Sequence, residues 1–134
     1  MFFSQNALMV NDLLKLNVVN LQTELERLTD DCGLVGNILT SEDGLVIIEA
    51  VNPDFHYDST LISAMAASLI SENHFGFSNP NEIILNYDIE RIIINRLTVK
   101  KKDLNLLLIS ITPLKMRYFK RFLKKSIKLI NKML

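Results

Sequence analysis

The 134-residue sequence has little of what most enzyme chemistry requires. It holds one cysteine, Cys32, which excludes a disulfide framework and a cysteine-built metal site. A lone cysteine before Gly33 reads as a buried small apolar residue. The only imidazoles are His56 and His74. His56 stands in DFHYD with Asp54 and Asp58 at two-residue spacings, but a metal site wants about three or four ligands. It is read as a surface-loop histidine, and His74 as a cap or loop residue after a helix. The four glycines are too scattered to build a phosphate-cradling loop, and no Ser–His–Asp set is visible. No apolar run approaches the ~18–20 residues that cross a bilayer. The start, MFFSQNALMVNDLLK, lacks a basic region, and Asn6, Asn11 and Asp12 interrupt its apolar stretch, so it does not read as a secretion signal. Phe2 stands where N-myristoylation needs glycine, and the final NKML has no cysteine for prenylation. The expectation is a non-enzyme in the cytoplasm with no catalytic residue, no metal and no cofactor.

What is present is apolar and unevenly charged. Hydrophobic residues make up 49%, at the upper end for a soluble protein. The length suits one domain that buries its own core. The net charge of zero hides a split. Residues 1–90 carry two basic side chains, Lys15 and Arg27, against fourteen acids. Residues 91–134 carry thirteen basic side chains against Asp103 alone. Such a split suits an anionic partner, or two halves that neutralise each other by packing.

The order of elements reads helix, two strands, helix, three strands, helix. From Ser4 to Asp31, Leu14, Val18, Leu21, Leu25 and Leu28 form one helical stripe, with a possible break near Asn17 and Asn20. Gly33 suits the left-handed residue that closes a helix. Leu34–Ser41 and Leu45–Ala50 read as strands, the first apolar on both pleat faces and so covered on both sides. The turn between them, Glu42-Asp43-Gly44, suits a type I turn with Gly44 in a positive-φ bulge and Asp43 bonding local backbone. Asp58 or Ser59 caps the next helix, STLISAMAASLISEN. Its apolar and small residues run nearly all round, so two sides are covered. Ser63, Ala67 and Ser71, with Ala64 and Ser68 beside them, make a small-residue strip that would admit a second helix at short range. Glu82–Tyr87, Arg91–Val99 and Leu104–Ile111 read as strands. Pro113 suits the first turn of a final helix in which Met116, Phe119, Phe122, Leu123, Ile127, Ile130 and Leu134 line one face. The opposite face includes Lys115, Arg117, Lys120, Arg121, Lys124, Lys125, Lys128 and Lys132.

This order, with LQTELERLTDDCGLVGNILTSEDGLVIIEA and LISAMAASLI, resembles the roadblock/dynein light chain family. The matching features are the leading amphipathic helix, Leu34-Val35-Gly36 entering a strand, Ser41–Leu45 in the hairpin, and the Ala-rich stretch Leu61–Ala67. The resemblance runs from Leu21 to the last residue, which makes residues 1–20 an N-terminal helical extension and 21–134 the domain. It implies an α+β fold, α-β-β-α-β-β-β-α, with a five-stranded antiparallel sheet. The first and last helices would cover one face and the Ala-rich helix the other. It also implies a homodimer with two Ala-rich helices side by side, through Ser63, Ala64, Ala67, Ser68 and Ser71. The implied partner is a small Ras-like GTPase, bound as a platform or as an activating protein. An adaptor subunit of a larger complex, without nucleotide dependence, is the alternative.

Three features carry competing readings. Asp43 and Gly44 are read as a turn and not as a partner contact. Arg91 and Arg96 fall within a predicted strand, which disfavours either as an arginine finger. The final helix, through Lys120, Lys124, Lys125 and Lys128, could meet an anionic membrane surface; nucleic acid is not an expected partner. The favoured reading is a solvated basic face with some pairing to Glu24, Glu26, Asp30 and Asp31 of the first helix.

Overall fold

A computed structural model describes the backbone of residues 3–72 and 74–134, and the side chains of residues 17–72 and 75–134. The elements are α1 (Phe3–Asp31), β1 (Gly36–Ser41), β2 (Val46–Val51), α2 (Ser59–Ser71), β3 (Glu82–Asn86), β4 (Glu90–Val99), β5 (Leu104–Pro113) and α3 (Phe119–Met133). The five strands form one antiparallel sheet in the order β2-β1-β5-β4-β3. The expected α+β architecture is the observed one. The side chains of Leu14 in the first stripe and of His74 lie outside those described.

α1 is one helix, so the break considered near Asn17 and Asn20 does not occur. Its stripe buries Leu21, Leu25 and Thr29 against the sheet. At its end, Leu34 N–H bonds the Thr29 carbonyl and Gly33 N–H the Asp30 carbonyl, with Gly33 at φ 68°. This is a Schellman closure that only a residue tolerant of positive φ completes cheaply. Cys32 beside it is only half-buried, not buried as expected, because it sits at the exposed end of the helix; burial still pushes its thiol above the ordinary value, with Lys125 pulling the other way.

The sheet separates two cores. On one face, α1 and α3 pack Leu21, Leu25, Leu123 and Ile130 over Leu39, Ile48, Ile93, Leu106 and Leu108. On the other, α2 packs Ala66, Ala67 and Ile70 over Ile38, Ile94, Leu107, Ile109 and Ile111. Ile38 and Leu39 point to opposite cores, which is the two-sided burial expected of β1. Among the aliphatics on the α1 face runs a polar chain. Ser110 Oγ donates to Asn37 Oδ1 at 2.7 Å, Asn37 Nδ2 to Thr29 Oγ1 at 3.2 Å, and Thr29 Oγ1 to the Leu25 carbonyl at 2.7 Å. Each buried polar group in that chain has a partner, which keeps its desolvation cost small.

The start of the last helix differs from expectation. Pro113 ends β5 instead of opening α3. It pairs with Glu90, and Leu114 N–H continues the ladder to the Ile89 carbonyl at 2.8 Å. The residue before a proline favours extended backbone, and the proline itself has no N–H for the ladder to lose. Met116, Lys115 and Arg117 therefore lie in the connection, and the helix begins at Phe119. The acids of α1 also fail to meet α3's bases. The two helices pack side by side, yet among the described residues no ion pair within 4.0 Å joins them. Glu24 pairs instead with Arg27 on its own helix, at 3.4 Å.

Candidate interaction face

The face carrying α2 has most of the features that suit a partner. Asp58 caps the helix: its Oδ1 accepts from Thr60 N–H at 3.0 Å and Leu61 N–H at 3.2 Å. That fixes which residues of α2 look inward. Ser59, Ser63, Ala66, Ala67 and Ile70 are buried. Of the small-residue strip, Ser63 and Ala67 therefore face the protomer's own interior, while Ala64, Ser68 and Ser71 face out.

The reason for the inward small residues is the β1–β2 hairpin. Gly44 N–H bonds the Ser41 carbonyl at 3.0 Å, and Gly44 has φ 89°. This is the expected turn with a glycine bulge, and β1–β2 register shifts between Leu39 and Thr40. The side chain that ties the turn is Ser41, not Asp43 as expected: its Oγ accepts from Leu45 N–H at 3.1 Å. The tip then seats on α2. A Cβ added at Gly44 would lie 2.7 Å from the Ser63 carbonyl oxygen, 2.9 Å from Ala67 Cβ and 3.2 Å from Ala64 Cα. The glycine and the Ala-rich helix are thus two halves of one contact.

Two arginines are tied down by the same logic. Arg96 Nη2 donates to the Ile70 carbonyl at 3.0 Å, placing a cation at the C-terminus of α2, where the helix dipole favours it. Arg91 donates from Nη1 to Met116 O at 3.0 Å, from Nη2 to Leu114 O at 3.2 Å and from Nε to Asn86 Oδ1 at 2.9 Å. Its guanidinium lies 4.1 Å from the centre of the Phe119 ring. It holds the β5–α3 connection in place.

α2 presents an apolar ridge outward. Leu61 is 56% exposed and Met65 63%, with Ser68 one turn further on. Beside the ridge a cleft of about 370 Å³ is bounded by Met65, Leu69, Leu85, Tyr87 and Ile92. A second cleft of about 540 Å³ lies at the β3–β4 turn, between Tyr57, Ile62, Ile89 and Ile111. Tyr57 there donates its hydroxyl to Glu90, and this bond raises its pKa above the ordinary tyrosine value. β3 bounds the sheet on this side and leaves its outer edge unpaired. The opposite edge strand differs: Gln22 Nε2 of α1 occupies the Glu49 carbonyl of β2 at 2.9 Å.

One further feature escaped sequence reasoning. After α2, HFGF holds Phe75 at φ 59° and 95% exposed, with Phe77 also exposed. Nothing in HFGFSNPN beyond its aromatics distinguishes it from an ordinary connection. His56 points its Nδ1 at the Asp54 carbonyl, 3.2 Å away, and rests against Tyr57. Among the described residues, no group of three or more His, Cys, Asp or Glu is placed to hold a metal ion, and no helix is long and apolar enough to cross a membrane.

No family model matches the sequence, and no curated protein matches it by sequence. Solved structures do match the fold. MglB from Myxococcus xanthus is 14% identical, with a TM-score of 0.69 over 87% of this chain and 88% of that one. The gliding protein MglB from Thermus thermophilus is 12% identical, with a TM-score of 0.65 over 87% of each chain. A Roadblock/LC7 domain from Streptomyces avermitilis is 17% identical, with a TM-score of 0.51 over 74% of this chain and 80% of that one. At these identities the likeness is one of fold. Element order, sheet topology and these neighbours agree that the chain has a roadblock-type fold.

Proposed function

We propose that the chain works as a non-enzymatic, homodimeric platform that binds and regulates a small Ras-like GTPase. The observation that carries the pairing is the half-covered sheet face: α2 leaves Leu61 and Met65 exposed beside two apolar clefts and the free edge of β3. Two copies joined β3 to β3 about a two-fold axis would set their α2 helices side by side over a continuous sheet. Each helix would cover the other's cleft. Ala64, Ser68 and Ser71 would permit the close approach, while Ser63 and Ala67 serve the hairpin contact within each protomer. The GTPase partner rests on the family resemblance and on the fold shared with MglB.

If the pair accelerates hydrolysis, neither Arg91 nor Arg96 supplies an arginine finger, because each is held by backbone carbonyls of its own chain. Acceleration would come from ordering the GTPase's own switch loops and its attacking water. The test is binding and single-turnover hydrolysis with a Ras-like GTPase from the same genome, loaded with GTP or GDP. Preference for the GTP form supports regulation. Equal affinity for both forms supports the adaptor reading instead.

A further inference from the structure

The outward face of α3 lies on the opposite side of the sheet from α2, so a partner there leaves the pairing face free. Lys120, Lys124 and Lys128 recur at every fourth residue, flanked by Arg121, Lys125 and Lys132, and all six are exposed. At about 1.5 Å rise per residue, the stretch from Lys120 to Lys132 makes this a row roughly 18 Å long. Exposed Lys115 and Arg117 precede it in the chain, and Lys100 and Lys101 lie beside Asn131 at its far end. From Leu104 to Leu134 the chain has no acidic residue. Glu24, Glu26, Asp30 and Asp31 sit on the adjacent α1, yet none pairs with α3 within 4.0 Å.

We propose that this row is a docking surface for an anionic lipid headgroup layer. Its chemistry favours lipid over nucleic acid. Five of the six charges on the helix are lysines, compact point charges suited to a diffuse anionic plane. Within α3, arginine forks and amide side chains, which read phosphates and base edges bidentately, are represented by Arg121 and Asn131 alone. The apolar face of α3 is committed to the core through Leu123 and Ile130, so the helix lies on a membrane without inserting. Tyr118, 67% exposed at the start of the row with Arg121 over its ring, is an amphipathic residue of the kind found at headgroup level. The inference stands on α3 alone and does not depend on dimerisation.

The experiment is flotation of the full chain with phosphatidylcholine vesicles, with and without about one-third phosphatidylserine, at 50, 150 and 500 mM NaCl. The expected result is binding to the phosphatidylserine vesicles only, falling steeply with salt. The triple variant Lys120→Gln/Lys124→Gln/Lys128→Gln should lose affinity by about a hundredfold. The charge-keeping Lys120→Arg/Lys124→Arg/Lys128→Arg variant should retain it, and circular dichroism shows whether each variant is folded. Three results would overturn the proposal: no binding at 50 mM NaCl, equal binding to both vesicle types, or tighter binding of a 30-base-pair DNA duplex than of the anionic vesicles at the same salt.

Discussion

Replacing Gly44 with alanine tests the contact on which the α2 face is built. Two costs add. Gly44 has φ 89°, a region where a side chain costs about 1–2 kcal/mol. The new Cβ would also lie 2.7 Å from the Ser63 carbonyl oxygen and 2.9 Å from Ala67 Cβ. One neighbour is backbone and the other a Cβ, so neither can rotate away. Overpacking of this kind costs about 1–3 kcal/mol. The sum is about 2–5 kcal/mol, a large part of the 5–15 kcal/mol typical of a domain. At roughly 3–5 °C per kcal/mol for this size, thermal unfolding should fall by about 6–25 °C. Gly33 is the internal control. It too has positive φ, 68°, but nothing lies within 4 Å of its added Cβ. Gly33→Ala should therefore show only the conformational cost, about 1–2 kcal/mol. Ala67→Gly placed on top of Gly44→Ala should recover part of the loss, a coupling that distant sites do not show. The measurement is thermal and urea unfolding followed by circular dichroism. Equal losses for Gly44→Ala and Gly33→Ala, with no coupling to Ala67, would refute the hairpin-on-helix contact.

Arg96→Met keeps the apolar stem and removes the bond to the Ile70 carbonyl; unfolding should show a loss of about 1–2 kcal/mol. Asp58→Ala removes the cap of α2 and should cost about 1 kcal/mol by the same assay. Tyr57 should ionise above the ordinary value of about 10 in an absorbance titration, and Glu90→Gln should bring it back down. The sign follows from linkage. The folded pKa lies above the unfolded one, so this stabilisation is present in full below the unfolded value and is lost as pH rises through the folded value.

Most of the fold was legible because local signals agreed with one another. Asp58 before a helix, Gly33 after one, and Asp43-Gly44 between two apolar runs each name a backbone conformation without reference to the rest of the chain. The long-range contacts were not legible. Ser63 and Ala67 signal close approach by something, but only the three-dimensional position of Gly44 shows that it is the chain's own hairpin. Arg91 and Arg96 sit in a strand with nothing to mark them as clamps on distant carbonyls, since backbone acceptors leave no trace in sequence. Pro113 misled because it is acceptable both as a helix opener and as the last residue of a strand. The basic face of α3 was visible as a pattern. Whether the acids of α1 neutralise it depends on rotation of one helix against the other, which periodicity does not set.

The exposed part of α2 also decides how pairing should be tested. Ala67→Glu would drive a charge into the Gly44 contact and unfold the α2 face, so it cannot report on pairing. Met65 is exposed on the ridge, so Met65→Glu leaves the protomer's core untouched. The most direct measurement is the solution mass by light scattering, at tens of micromolar, of the wild type and of Met65→Glu. The account predicts twice the 15.3 kDa chain mass for the wild type and the single-chain mass for a folded Met65→Glu variant. A wild-type monomer, or a Met65→Glu variant that stays dimeric, would contradict it.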